Sequence, residues 1–271
     1  MLELISYPPV YRGLILLLVS GFCFPLGGVF VLRMNILPIR YLLMHGVLLG
    51  GAIGLASGLN LQISSFIVNL FLIAALGHSS KLLKTEYGQL SMFFMVASIA
   101  AASVITSVFN VPAKDTLALL WGSLYAAGWR ELVITASVAA VLLLFTIIFF
   151  RHLTAVFYDR DVAASLGIKV RLFEFAVMLI TSLVVASAMK LMGALLLDAQ
   201  IILPVVVAGL LASGLRQTMI LSCLLGGAFS VAGFFISLFF DIPVSSGVAI
   251  PAVMTFVAVI IFKRGIKIEN N

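Results

Sequence analysis

Charge is scarce in this chain: 10% of its 271 residues are Asp, Glu, Lys or Arg, while 63% are hydrophobic. Soluble domains carry about 25% charged residues, so a water-soluble fold is excluded. Cysteine is nearly absent as well. Cys23 and Cys223 both sit inside apolar runs with no partner at CxxC spacing, which argues against a disulfide framework and reads as buried small hydrophobes. The three histidines, His45, His78 and His152, lie far apart, and GxxxxGK[ST], HExxH and GxSxG are all missing. No nucleotide site or soluble-type catalytic centre is therefore encoded in a recognisable form. The formal charge of +6 comes from basic residues scattered between apolar runs. That pattern fits membrane topology, not nucleic acid.

Apolar stretches of membrane-spanning length, about 17 to 25 residues, recur along the whole chain. Polar punctuation separates nine candidate spans at 12–32, 42–57, 61–77, 90–110, 132–150, 172–189, 194–213, 217–239 and 246–262. The expected fold is all-α: one polytopic transmembrane helical bundle of eight to nine spans, forming a single domain over 1–271 with a short cytoplasmic helix near 155–168. The spans 42–57 and 61–77 are short enough to be tilted, partial or re-entrant, and Gly50, Gly51, Gly54 and Gly58 suggest close helix packing there. Met1–Tyr11 carries Glu3, Pro8 and Pro9 and no Lys or Arg, so the first apolar run reads as a retained span and not a cleaved signal.

Alternate loops differ in basic residues. One set holds Arg33, Arg40, Lys81, Lys84, Arg151, Arg160, Lys169, Arg171, Arg216, Lys263, Arg264 and Lys267; the other holds Arg12, Lys114, Arg130 and Lys190. Twelve against four places the C-terminus in the cytoplasm. With nine spans the N-terminus lies outside, and with eight it lies inside.

Two connections exceed the usual helix-to-helix loop of about 2 to 8 residues. Asn110–Glu131, with Pro112, Asp115, Trp121, Gly122, Tyr125 and Trp129, reads as an interfacial short helix or re-entrant element. Arg151–Arg171 reads as a short amphipathic helix on the cytoplasmic face, with Thr154 as a candidate N-cap and Gly167 as its stop. A polytopic chain with a cytoplasmic cross-helix and no nucleotide site is most economically a permease energised by another subunit.

At these residues the sequence resembles the membrane permeases of bacterial ABC importers for zinc and manganese. FYDRDVAASLGIKVRLFE (Phe157–Glu174) is similar to the family's ATPase-coupling segment, and GALLLDAQIILPVVVAGLL (Gly193–Leu211) to its small-residue run leading into Leu-Pro. LWGSLYAAGWREL (Leu120–Leu132) and the DIP at Asp241–Pro243 fit in order and spacing. Two elements depart. The family's second span typically carries an aspartate four residues before a histidine; here RYLLMHG keeps His45 but has Tyr41 at the aspartate position. The acidic element before the fourth span is reduced in KTEYGQLS to Glu86.

The resemblance implies a permease in the bacterial inner membrane, paired with a second copy of itself. A cytoplasmic ABC ATPase dimer and an extracytoplasmic metal-binding protein would be its partners, with membrane lipid around it and no nucleic acid. The cargo would be a divalent ion, zinc, manganese or iron; the chain itself would hold no cofactor, with ATP on the partner. Phe157, Asp159, Arg160, Asp161, Ala163, Leu166 and Gly167 would couple to the ATPase, the alternative for the charged cluster being a solvated loop. His45 is either a cation contact on the pathway or a histidine bonded to a neighbouring helix. Asp198 either supplies the missing acidic ligand, pairs with a basic residue, or sits near the outer end of its span. A permease for a chelated metal or other small solute, and a self-sufficient secondary transporter, are the rival readings; the latter is expected to place more ionisable residues at mid-membrane.

Overall fold

The computed structural model describes residues 7–111 and 122–269, with side chains described up to Lys263. Among these residues the secondary structure is helical, with no strand. The helices are α1 (Pro8–Cys23), α2 (Pro25–Arg33), α3 (Leu37–Ser57), α4 (Leu61–Leu83), α5 (Tyr87–Val108), α6 (Trp129–Ile148), α7 (Phe150–Tyr158), α8 (Arg160–Ser165), α9 (Val170–Ile201), α10 (Leu203–Leu211), α11 (Leu215–Phe240) and α12 (Val244–Glu269), with a 3-10 turn at Leu124–Ala126. Eight helical segments are long and apolar enough to cross a membrane. Pro112, Asp115 and Trp121 of the anticipated interfacial element lie outside the described residues.

The expected sixth and seventh spans fall in one segment, Val170–Leu211, which explains eight segments where nine runs were read. Its 42 residues correspond to about 63 Å at 1.5 Å per residue, twice a hydrocarbon core of about 30 Å. The helix breaks inside it at Gly193 (φ 69, ψ 172). Its two ends adjoin Arg171 and Arg216, both in the set of loops read as basic, the arrangement that two crossings would give.

The hairpin that looked short enough to be tilted, partial or re-entrant has two helices of membrane-spanning length. α3 has 21 residues and α4 has 23, about 31 and 34 Å. The sequence reading cut them short because Pro38 and Arg40 lie in the first turns of α3, and His78 and Lys81 in the last turns of α4. Gly58 ends α3 in the left-handed region (φ 69), and Asn60 caps α4 by accepting from the backbone N–H of Gln62 at 3.0 Å. The expected close packing is present: Ser65 Oγ donates to the Val47 carbonyl at 3.1 Å, and a Cβ on Gly50 would collide with Ser65 backbone.

Contacts group the chain into two units interleaved in sequence. One comprises Met1–Val29, Leu124–Ala139 and Leu195–Asn271; the other comprises Phe30–Ser123 and Ala140–Ala194. In the first, α11 packs on α1, α10 and α12. Gln200, fully buried, donates from Nε2 to the Leu17 carbonyl at 3.2 Å and to Ser230 Oγ at 3.1 Å. In the second, α3 packs on both α4 and α5. Large apolar side chains such as Phe71, Phe93, Val104 and Ile147 are exposed, as hydrocarbon-facing residues must be once lipid replaces water as solvent.

Candidate functional site

His45 sits on α3, whose flanking residues Leu42, Leu43, Met44, Gly46 and Val47 are buried. One edge of the helix is open: Tyr41 is 39% exposed, and His45, Leu49 and Ile53 are partly exposed. These four recur every fourth residue and so share a face. An imidazole turned toward bare hydrocarbon is costly, so an open edge carrying one suits a pathway or an interface. His45 Nδ1 lies 2.8 Å from the Tyr41 carbonyl oxygen. A carbonyl only accepts, so Nδ1 is the donor of this contact and Nε2 is the ring nitrogen left for a cation or another partner. Arg40, 1% exposed, stacks its guanidinium over the Tyr41 ring with 4.6 Å to the centroid and donates to Met44 Sδ at 3.7 Å.

Asp198 is half-buried on α9, five residues past the break at Gly193, and belongs to the unit that does not contain His45. Among the described residues no three His, Cys, Asp or Glu side chains converge in a metal-binding group.

The Arg151–Arg171 connection folds as two short helices, α7 and α8, instead of the single helix expected from the sequence. The break is Asp159, whose extended backbone (φ −158, ψ 128) lets its carboxylate accept from the N–H groups of Asp161 at 2.8 Å and Val162 at 3.0 Å. Asp159 is therefore the N-cap. Thr154 instead lies within α7 and returns its hydroxyl to the Phe150 carbonyl at 2.8 Å. Gly167 stops α8 as read: at φ 81 it permits Ile168 N–H to reach the Ala163 carbonyl at 3.2 Å and its own N–H to reach Ala164 at 3.0 Å, a Schellman closure.

The seven coupling candidates divide into anchors and tip. Phe157 joins Phe30 at a centroid distance of 5.9 Å, part of an aromatic cluster with Phe145, Phe149, His152 and Phe173. Ala163 is fully buried. Arg160 Nε pairs with Glu174 at 3.1 Å, and its Nη2 donates to the Met34 carbonyl at 3.3 Å. The Glu174 side chain is 5% exposed, so its charge depends on that partner. Asp159, Asp161, Leu166 and Gly167 face outward. Two residues outside those seven complete the tip: Tyr158 is 87% and Val162 48% exposed, with Leu166 at 69%. Their spacing of four was the available signal.

A sequence profile described as the ABC 3 transport family matches residues 7–263. The manganese transport system membrane protein MntC of Halalkalibacterium halodurans is 24% identical over 266 residues, covering 97% of this chain and 91% of that protein. The high-affinity zinc uptake system membrane protein ZnuB of Haemophilus influenzae is 26% identical over 263 residues, covering 96% and 98%. Among solved structures, PsaBC from Streptococcus pneumoniae in complex with Fab superposes with a TM-score of 0.82 at 25% identity, over 95% of this chain and 92% of that one.

Proposed function

This chain belongs to the ABC 3 transport family, and on that premise we propose that it is the membrane-spanning permease subunit of an ATP-driven importer for a divalent transition-metal ion. The observation that carries the reading is near end-to-end similarity to both a manganese and a zinc permease. Eight apolar helical segments and this family place it as a multi-pass protein of the bacterial inner membrane. ATP hydrolysis belongs to a separate subunit, in keeping with the missing phosphate loop. Two copies of the chain would enclose the pathway, and an extracytoplasmic binding protein would deliver the ion.

The exposed tip of Tyr158, Val162 and Leu166 is the surface offered to the ATPase, while Phe157, Ala163 and Arg160 fasten it to the bundle. Movement of the tip would then be passed inward through the aromatic cluster and the Arg160–Glu174 pair. On the pathway, His45 offers Nε2, the ring nitrogen not engaged with the Tyr41 carbonyl. With Tyr41 one turn before it in place of a carboxylate, that donor set suits zinc or iron better than manganese, because imidazole favours the former and carboxylate the latter.

Uptake of radiolabelled zinc into cells expressing the complete importer tests the pathway. His45→Ala is expected to reduce uptake on the order of tenfold or more, with normal membrane levels of the protein; unchanged uptake removes His45 from the pathway. An Asp198→Asn variant with full transport and unaltered metal preference removes Asp198 likewise.

A further inference from the structure

Beside the coupling segment, within the unit Phe30–Ser123 and Ala140–Ala194, opens a cleft of about 1190 Å³. Its walls are the turn after α2, the end of α4 with the following turn, the α7–α8 junction and the start of α9. Five exposed cations line it, Arg33, Lys81, Lys84, Arg160 and Arg171, and all but Arg160 are outside the pair with Glu174. With Glu174 paired to Arg160, the lining carboxylates Glu86, Asp159 and Asp161 face the other four cations, since the bonds that Asp159 accepts from backbone N–H groups leave its charge in place. The cleft is therefore net positive, with the His78 imidazole as a further polar group in its wall.

The cleft is not confined to the aqueous end of the helices. Its inner wall includes Ala74 and Gly77 of α4, the former nine residues before the helix ends at Leu83, a depth of about 14 Å. Open space lies where a Gly77 Cβ would be. At the mouth, Lys81-Leu82-Leu83-Lys84 places two leucines, 73% and 61% exposed, between two ammonium groups. Exposed leucines flanked by lysines belong at a membrane surface, where stems lie in hydrocarbon and charges reach the headgroups. A basic mouth above a small-residue floor at hydrocarbon depth calls for an amphiphile with an anionic head; an acidic protein segment would leave its polar backbone at that depth.

We propose that this cleft binds an anionic phospholipid of the cytoplasmic leaflet, its phosphate among Arg33, Lys81, Lys84 and Arg171 and an acyl chain along Ala74 and Gly77. The proposal rests on the cytoplasmic placement of the basic loops and not on the ion carried or the ATPase. A lipid held here would touch both the α7–α8 junction and the base of α9, and so would stiffen the coupling segment.

The test measures binding of short-chain phosphatidylglycerol, short-chain phosphatidylcholine and inorganic phosphate to the detergent-purified full chain, with native mass spectrometry of co-purified lipid. Wild type is expected to retain phosphatidylglycerol and to prefer it over phosphatidylcholine at least tenfold. Lys81→Gln with Lys84→Gln should weaken phosphatidylglycerol about thirtyfold, the effect of two interfacial lysines. Lys169→Gln, on an exposed lysine outside the cleft, should change it less than twofold. Equal affinity for the two lipids overturns the proposal. So does displacement of the bound lipid by millimolar phosphate, which assigns the cleft to a soluble anion. Loss of ATPase capture in the double variant with lipid affinity unchanged overturns it in favour of a protein contact.

Discussion

Leu166→Asp is expected to abolish capture of the ATPase subunit, and with it metal uptake, while leaving the permease folded. Leu166 is 69% exposed at the end of α8 and is held there by the Gly167 closure. Burying a leucine against a partner contributes about 1.5–3 kcal/mol, and forcing a carboxylate into the same apolar contact costs several more. Together these exceed about 4 kcal/mol, a loss in affinity of roughly a thousandfold. The side chain is mostly exposed in the isolated chain, so yield and unfolding temperature should match wild type. Titration of the purified ATPase onto the permease in nanodiscs reads the loss; affinity within threefold of wild type would mean the tip is not the contact. Ala163 makes a poorer probe, because it is fully buried and a bulky residue there would disturb the fold before it met a partner.

Gly226→Leu is expected to prevent folding. A Cβ at Gly226 would run into the Gly21 carbonyl oxygen and approach Pro25 Cγ to 2.6 Å, and a Cβ at Gly21 would come within 2.9 Å of the Gly226 carbonyl oxygen. The obstacle is backbone on both sides, so no rotamer change relieves it. Overpacking in a core that can adjust costs about 1–3 kcal/mol; here α1 and α11 must separate, which also breaks the Gln200 bonds to Leu17 and Ser230. The variant should be lost from the monodisperse peak of detergent-extracted protein. Gly209→Leu is the control, since that glycine is exposed on α10 with nothing within 4 Å of its Cβ position. Its unfolding temperature should hold or rise, as leucine is about 1 kcal/mol better than glycine in a helix. Equal yields from the two variants would contradict the packing.

Hydropathy alone made the spans legible, because crossing hydrocarbon requires a run of apolar residues. It failed at their ends. Lys81 lies inside α4 with an exposed ammonium that can reach water, and Arg40 lies inside α3 with its guanidinium buried over the Tyr41 ring; reading both as loop shortened α3 and α4. It also left the Val170–Leu211 segment ambiguous, since Gly193 redirects the backbone without any polar interruption. Gly167 was legible as a stop because only glycine takes φ 81 at no cost. Asp159 was not legible as the cap, since Thr154 has the same capping chemistry and only the fold decides which of them leaves the helix. At the site, an ionisable His45 within a span was visible in the sequence. The open edge that sets it apart from a packed histidine depends on neighbours distant in sequence, and so does the inward turn of Phe157 and Arg160.

Purification of the chain from its native membrane in mild detergent, with bound proteins identified and their metal content determined, decides between a subunit and a stand-alone transporter. An ABC importer permease is expected to bring down a cytoplasmic ATPase and an extracytoplasmic binding protein loaded with zinc, manganese or iron. Recovery of the chain alone, under conditions that keep other ABC complexes intact, would contradict that assignment and favour a transporter that works without a partner.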